Sequence, residues 1–298
     1  MYGQESKMKN RNWKINKEMD METKVWENEE ENFRYQEANQ AYWGNRAKGY
    51  SEVNRDELYT AQHRRWQEYL DSQIQKWYKE QRNAAADTKI DRAQIRILEV
   101  GTGPGFFAII LSELGYAVTA VDYTKEMLTE AAEIAREFGQ HPQFLEMDAQ
   151  RLDFPMDSFD VVLSRNLTWN LPKPELAYKE WLRVLKPNGQ LLVFDANWYS
   201  YLYDDKKRQE YEADRRKTEE LGIKDEYLCT DIDRMEAIAK AAPLSAKIRP
   251  QWDMDILCAL GGKQVHADVD VWKNVWSMEE KINFSATPMF LVQCAAGK

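Results

Sequence analysis

An alternation of short apolar runs and helical segments restricts the fold more than any other feature of this sequence. The predicted strands are rich in branched residues: IRILEV (95–100), YAVTAVD (116–122), QFLEM (143–147), FDVVLSR (159–165) and QLLVFDA (190–196). Helical segments separate most of them, as parallel strands require. Two later runs, QVHADVDVW (264–272) and TPMFLVQCA (287–295), bring the predicted strands to seven. The pattern predicts an α/β fold, a Rossmann-like, doubly wound, mostly parallel sheet.

The segments on either side of this alternation have a different character. Residues 1–90 begin as a polar, charge-rich stretch and continue with apolar residues at helical spacing, which predicts a helical N-terminal extension or lid. Asn54 followed by Glu57 is a capping-box pattern and predicts the start of a helix. We expect residues 91–298 to form the α/β domain. Within it, residues 198–250 are aromatic and charged without the alternation, which predicts an insertion after the fifth strand.

Composition and charge narrow the class of protein. A hydrophobic share of 43% is enough for a core, and a net charge of -9 argues against general affinity for nucleic acid or anionic lipid. Three scattered cysteines suit a reducing compartment. The N-terminus resembles no signal peptide, and no apolar run is long enough to span a bilayer. We therefore expect a cytoplasmic protein with no membrane or nucleic-acid partner.

The turn after the first predicted strand is the clearest candidate site. ILEVGTGPG places Gly101, Gly103 and Gly105 between a strand and a helix, where backbone N–H groups can hold a nucleotide-like ligand. Asp122 ends the second strand, and a carboxylate there can accept hydrogen bonds from two ribose hydroxyls.

The spacing of this turn distinguishes between ligands. The dinucleotide pattern G-x-G-x-x-G is not met, because Phe106 occupies the place of the third glycine. Glu99 precedes the turn, where it would repel a pyrophosphate and attract a cation. These features favour S-adenosylmethionine, which carries positive sulfonium and ammonium groups and no phosphate.

Together these motifs resemble those of class I S-adenosylmethionine-dependent methyltransferases that act on small molecules. The resemblance rests on ILEVGTGPG, VDYT, MDAQRLDFPMDSFDVVLSR and WLRVLKPNGQLLVFD, within about residues 95–196. It implies a cofactor, S-adenosylmethionine, with S-adenosylhomocysteine as product. The implied cofactor-binding residues are Glu99, Gly101, Thr102, Gly103, Gly105, Asp122, Tyr123, Asp148, Ala149 and Arg165.

Other residues are candidates for covering the cofactor or holding the methyl acceptor. AYWGNRAKGYS (41–51) resembles the lid segment that often precedes this domain, so Tyr42 and Tyr50 are added to the cofactor site, although both could equally pack a helix. Acceptor contacts are expected at the ends of strands four and five and in the insertion. The aromatic rings of the insertion could instead pack it onto the core. The candidates are Asn166, Trp169, Asn197, Trp198 and Tyr203.

The sequence leaves several alternatives open. A nicotinamide-dependent oxidoreductase is disfavoured by Glu99 and Phe106, whereas a non-catalytic protein that binds S-adenosylmethionine would have the same cofactor motifs. Nucleic-acid methyltransferases are less favoured, because RNLTWNLP, which follows strand four, lacks the Asn/Asp-Pro-Pro-Tyr/Phe motif of enzymes that methylate base nitrogens. Metalloid methyltransferases are less favoured, because they need several converging thiols and the three cysteines are dispersed. The histidines share no metal-ligand spacing, so no metal is expected. No general base is evident.

Overall fold

The computed structural model describes residues 29–81, 85, 88–225 and 230–298. Its helices are α1 Glu29–Tyr59, α2 Ala61–Gln81, α3 Phe106–Glu113, α4 Lys125–Glu137, α5 Pro174–Val184, α6 Asp205–Glu220, α7 Ile232–Ala241, α8 Gln251–Ala259, α9 Trp272–Val275 and α10 Met278–Asn283. Its strands are β1 Arg96–Val100, β2 Ala117–Asp122, β3 Gln143–Glu146, β4 Phe159–Arg165, β5 Leu185–Asp195, β6 Lys263–Asp268 and β7 Phe290–Ala295.

The strands form one seven-stranded sheet in the order β3-β2-β1-β4-β5-β7-β6. Strands β1 to β5 are parallel to one another, and β7 runs antiparallel to both β5 and β6. The order reverses between β1 and β4, so the carboxyl ends of these strands open a crevice, as in other doubly wound sheets. The predicted fold class is confirmed, and each of the seven predicted runs contains a strand. β5 begins earlier than predicted, at Leu185, and β6 ends at Asp268, where the sequence predicted a strand to residue 272.

The helix α2 is part of the core. Trp66 is fully buried, and its ring lies 4.8 Å from that of Phe107 on α3 and 5.2 Å from that of Phe194 on β5. Burying one indole in this way stabilises the fold by several kcal/mol, roughly 3–5 by the cost of truncating such a residue. Residues 61–81 therefore pack directly on the helices and strands of the α/β domain. The predicted domain division near residue 90 stays a prediction.

The predicted helix start at Asn54 is wrong. The helix α1 runs through this position without interruption, and the break falls at Thr60, whose hydroxyl oxygen accepts a hydrogen bond from the Gln62 backbone N–H. The Asn54 amide instead donates to the Glu57 carboxylate within the helix. A capping-box pattern also fits residues one turn apart on a continuous helix, and buried side chains at Asn54 and Glu57 favour the continuous helix here.

The segment 198–250 contains α6 and α7 and packs beside the crevice. A cluster of buried residues joins α1 to α7 and to the loop after β4: Tyr35, Tyr42, Trp169, Met235, Ile238, Ala239 and Ala242. The charge-rich helix α6 buries three residues: Tyr211, Asp214 and Thr218. Among the described residues, no helix is both long and apolar enough to cross a bilayer.

Candidate functional site

Two cavities lie at the carboxyl ends of the parallel strands. The first has a volume of about 140 Å³ and contains the glycine turn, and the second has a volume of about 310 Å³ and lies toward the insertion. Five residues border both cavities and are called the shared wall: Trp43, Tyr50, Asn54, Arg165 and Asn166. Ligands bound in the two cavities would therefore meet at this wall.

The glycine turn has three glycines with positive φ for different physical reasons. A Cβ on Gly101 would come within 2.5 Å of the Leu167 side chain, so this glycine serves local packing. A Cβ on Gly103 would find no atom closer than the Tyr50 ring at 3.7 Å. Gly103 thus turns bare backbone toward the first cavity, where a bound group can approach it closely.

Gly105 does not line either cavity, and its role as a cofactor contact stays a prediction. A Cβ there would lie 3.1 Å from the Ala131 Cβ and 3.2 Å from the Phe144 ring. The glycine lets the start of α3 pack against α4 and β3. Its observed contribution to the site is the position of the helix.

Asp122 holds the turn to the end of β2. One of its carboxylate oxygens accepts a 2.8 Å hydrogen bond from the Gly103 N–H and the other a 2.8 Å bond from the Thr124 N–H. Burial raises the pKa of this carboxyl, and the backbone donors offset part of that effect. Each oxygen retains a lone pair, so the carboxylate can also accept from ligand hydroxyls in the first cavity.

Glu99 is a buried carboxylate in the wall of the first cavity. The Thr102 hydroxyl donates to it at 2.7 Å, and burial raises its pKa to about 7 despite this bond and the nearby Arg165. A cationic group bound beside it would favour the ionised form. The donor set of this cavity thus fits a ligand with a positive end and a vicinal diol.

The opposite side of the first cavity comes from the loop after β3 and from α1. Asp148, Ala149 and the partly exposed Tyr123 border it as the sequence predicted. The Asp148 carboxylate accepts from the Gln150 N–H at 2.9 Å. Sequence reasoning missed a set of amide side chains that line the same cavity: Gln36, Asn39, Gln40, Gln150 and Asn170. Gln36, Asn39 and Gln40 are linked in the sequence only by helical spacing on α1, and Gln150 and Asn170 have no such signal.

Arg165 lies in the shared wall and joins β4 to α1. Its guanidinium donates to both carboxylate oxygens of Glu57, at 3.1 and 2.7 Å, and lies 4.7 Å from the centroid of the Phe106 ring. Burial alone would lower the pKa of Arg165, but Glu57 outweighs it and the net pKa is raised. The pair fixes α1 across the end of the sheet.

The second cavity is lined by aromatic side chains. Trp169 and Trp198, predicted as acceptor contacts, line it, and Asn166 lies between it and the first cavity. Tyr42, predicted as a cofactor contact, lies on the second cavity and not on the first, with its ring 5.3 Å from that of Trp43. The helical register of α1 accounts for this, because it turns Tyr42 toward α7.

Asn197 and Tyr203 line neither cavity, and their role as acceptor contacts stays a prediction. The Asn197 amide donates to the Arg249 carbonyl at 3.0 Å. The Tyr203 ring is 49% exposed, and its hydroxyl donates to the Lys240 carbonyl at 2.7 Å. Both side chains connect parts of the insertion.

A buried charged network that the sequence did not reveal supports the second cavity. Arg249 donates to Asp195 at 3.0 Å and to both carboxylate oxygens of Asp253 at 2.8 and 2.7 Å. The Asp195 carboxylate in turn accepts from the Trp169 backbone N–H at 2.9 Å and from the Trp198 indole at 3.2 Å. Two rings of the cavity are thus held by one carboxylate.

The comparisons with known proteins agree with this geometry. Residues 98–193 match a family described as a methyltransferase domain. A phosphatidylethanolamine N-methyltransferase of Cereibacter sphaeroides is 38% identical over 100 residues, 33% of this chain and 49% of that protein. A demethylmenaquinone methyltransferase of Thermus thermophilus is 37% identical over 116 residues, 38% of this chain and 53% of that protein. The chain spans about half the length of these curated relatives.

A solved structure extends the similarity of fold beyond the matched segment. It is a putative S-adenosylmethionine-dependent methyltransferase from Methanococcus maripaludis, with a TM-score of 0.54 and 15% identity, covering 86% of this chain and 94% of that one. Residues 98–193 therefore match a methyltransferase domain, and the fold around them is shared with this solved structure.

Proposed function

We propose that the protein transfers a methyl group from S-adenosylmethionine to a small-molecule acceptor. The observation that carries the proposal is the pair of cavities with one shared wall, the first lined by Glu99, Gly103 and Asp122 and the second by aromatic rings. Class I methyltransferase relatives support the reaction type. The names of these relatives give different acceptors, phosphatidylethanolamine in one and demethylmenaquinone in another. They therefore support a small-molecule acceptor without specifying which one.

In this proposal the first cavity holds the cofactor. Glu99 would face its cationic end, Gly103 would let the amino-acid part approach the backbone, and Asp122 would accept from the ribose hydroxyls. Tyr123, Asp148 and the Ala149 backbone would border the adenine. Bound S-adenosylmethionine supplies a methyl group on a positively charged sulfur, which a nucleophile can attack directly.

The residues of the chain then have to align the acceptor and exclude water. The second cavity offers rings for burial of an apolar or flat body. The shared wall, which contains Asn166 and Tyr50, is the place where the acceptor atom would meet the methyl group. We expect the acceptor to be held by Trp169 and Trp198, whose positions depend on Asp195.

The test combines binding with turnover. Calorimetry should show binding of S-adenosylmethionine and S-adenosylhomocysteine but not of NADH, and Asp122→Ala should weaken the binding. Incubation with S-adenosylmethionine and a panel of small amines, phenols and thiols should give methylated products by mass spectrometry. Binding of NADH in their place would overturn the proposal, and cofactor binding with no methylated product across a broad panel would favour a non-catalytic role.

A further inference from the structure

The shared wall lacks a side chain that could remove a proton from an acceptor. Its described members carry indole, phenol, amide and guanidinium groups, and none carries a carboxylate, imidazole or thiol. Burial raises the pKa of the Tyr50 hydroxyl, so this phenol remains protonated near neutral pH. Arg165 is held as a cation by Glu57. General-base catalysis at this wall therefore has no evident agent.

The carboxylates of Glu57 and Glu280 in the second cavity already accept hydrogen bonds. Both oxygens of Glu57 accept from Arg165, and one of them also accepts from Asn54 at 3.5 Å. Glu280 accepts from the Gln62 amide and from the Ser277 backbone N–H. Asp56 and Glu279 also line this cavity, but both are exposed at its rim. Of these carboxylates, Glu57 reaches the shared wall, and Arg165 holds it there as an ion pair.

Asn166 places a hydrogen-bond acceptor without a partner in the shared wall. Its backbone has a φ of 57°, a left-handed conformation that asparagine tolerates better than most residues. The side chain hydrogen-bonds the Tyr50 hydroxyl, while Oδ1 is buried and has no hydrogen-bond partner. A buried carbonyl oxygen without a partner is costly, so a bound N–H group would satisfy it.

We propose that the methyl acceptor is an amine whose nitrogen lies at the shared wall and donates an N–H to Asn166 Oδ1. This inference rests on the proposed function and specifies its acceptor. A neutral amine needs no base, because its lone pair is free to attack while its N–H is held. Alcohols, phenols and thiols are poor nucleophiles until they lose a proton, and the wall has no residue to take it.

The reaction balances without a further reagent. The free ammonium form of the amine gives its proton to solvent before it binds. The nitrogen lone pair then forms the new N–C bond, and the electron pair of the broken S–C bond stays on sulfur. The product is an alkylammonium, which carries away the positive charge that the sulfonium loses.

The experiment uses the full-length protein saturated with S-adenosylhomocysteine, whose binding is verified first by calorimetry. The probes are phenethylamine, 2-phenylethanol and 2-phenylethanethiol, three molecules of similar shape that differ in the reactive atom. Their dissociation constants are measured by ligand-observed NMR. The amine should bind at least about tenfold more tightly than the thiol, whose S–H is a weak donor, which is the ratio expected for one hydrogen bond made in a buried site. The alcohol can also donate its O–H to Asn166, so it is distinguished by turnover: it should bind without being methylated.

Two variants test the role of Asn166. Asn166→Gly removes the amide and tolerates the left-handed backbone, and it should weaken binding of phenethylamine about tenfold while leaving S-adenosylhomocysteine binding nearly unchanged. Asn274→Ala, at an exposed asparagine outside both cavities, is the matched control and should bind both as the wild type does. With S-adenosylmethionine present, mass spectrometry should find the methyl group on nitrogen.

The outcomes separate this inference from the proposed function. If the cofactor product binds but the thiol binds as tightly as the amine, or the alcohol or thiol is methylated instead, the amine proposal is wrong and the methyltransferase proposal stands. If Asn166→Gly binds phenethylamine as well as the wild type does, the role of Asn166 is refuted. If S-adenosylhomocysteine does not bind at all, both proposals fail together.

Discussion

The buried Glu99 carboxyl should make the stability of the unliganded protein depend on pH in a specific direction. Its pKa is raised from 4.5 to about 7 by burial, so the folded state holds this proton more tightly than the unfolded state does. Between these values the folded state binds more protons, and its stability falls as pH rises. The stabilisation is complete below pH 4.5 and is lost as pH rises through about 7.

The size of this effect follows from the two pKa values. Between pH 5.5 and 8, linkage through Glu99 alone removes about 2 kcal/mol from the free energy of unfolding. Glu99→Gln keeps the shape and the bond to Thr102 but cannot titrate, so it should lack this loss. Urea unfolding at several pH values, with wild type and variant compared at each pH, isolates the contribution because all other titrating groups are common to both.

Glu146→Gln, at an exposed position on β3, is the matched control and should follow the wild-type pH profile. A constant difference between wild type and Glu99→Gln across this range would refute the linkage argument. A difference that grew in the opposite direction would mean that Glu99 is stabilised as an anion in the folded state. The same linkage predicts proton release when a cationic ligand binds below about pH 7, measurable by calorimetry in buffers of different ionisation enthalpy.

Three further results are expected. Asp122→Ala should weaken S-adenosylhomocysteine binding by about 1–3 kcal/mol in calorimetry. Asp91→Ala, which removes a distant helix cap, should leave that affinity unchanged. Equal affinities of Asp122→Ala and the wild type would refute the ribose contact. Residues 40–52 should gain protection from hydrogen exchange when the cofactor binds, and an identical exchange rate with and without cofactor would contradict a lid role. Gly101→Ala should lower the midpoint of thermal unfolding more than Gly139→Ala, because both glycines have positive φ but only a Cβ at position 101 would clash with Leu167. Equal shifts would count against this packing role of Gly101.

The parts of the fold that depend on local pattern could be predicted from the sequence. Runs of branched residues identify the strands, and glycine stops identify the ends of α3, α4 and α8, where Gly115, Gly139 and Gly261 have positive φ. The placement of Glu99 and Asp122 in one crevice follows from the parallel arrangement, because both lie at the carboxyl ends of adjacent strands. The first cavity is therefore largely a local property of the chain.

The second cavity depends on contacts between distant segments, and the sequence carries little signal for them. Its walls come from α1, the loop after β4, the insertion and the segment before β7. Arg249 reaches Asp195 across 54 positions, and although Asp195 ends the motif WLRVLKPNGQLLVFD, Arg249 stands in none. Asn197 and Tyr203 were placed by proximity to β5, but the direction of a side chain in an irregular segment depends on hydrogen bonds that form only in the folded chain.

The long helix α1 has a consequence for the timing of the proposed reaction. It lines the first cavity and the second with residues of the same 31-residue helix, and the Arg165–Glu57 pair fixes it to β4. A rigid displacement of α1 that uncovers one cavity also uncovers the other. In the proposed reaction, the methylated product and the spent cofactor would then leave through the same opening. The rate of repeated turnover would measure how often α1 moves away from the two cavities.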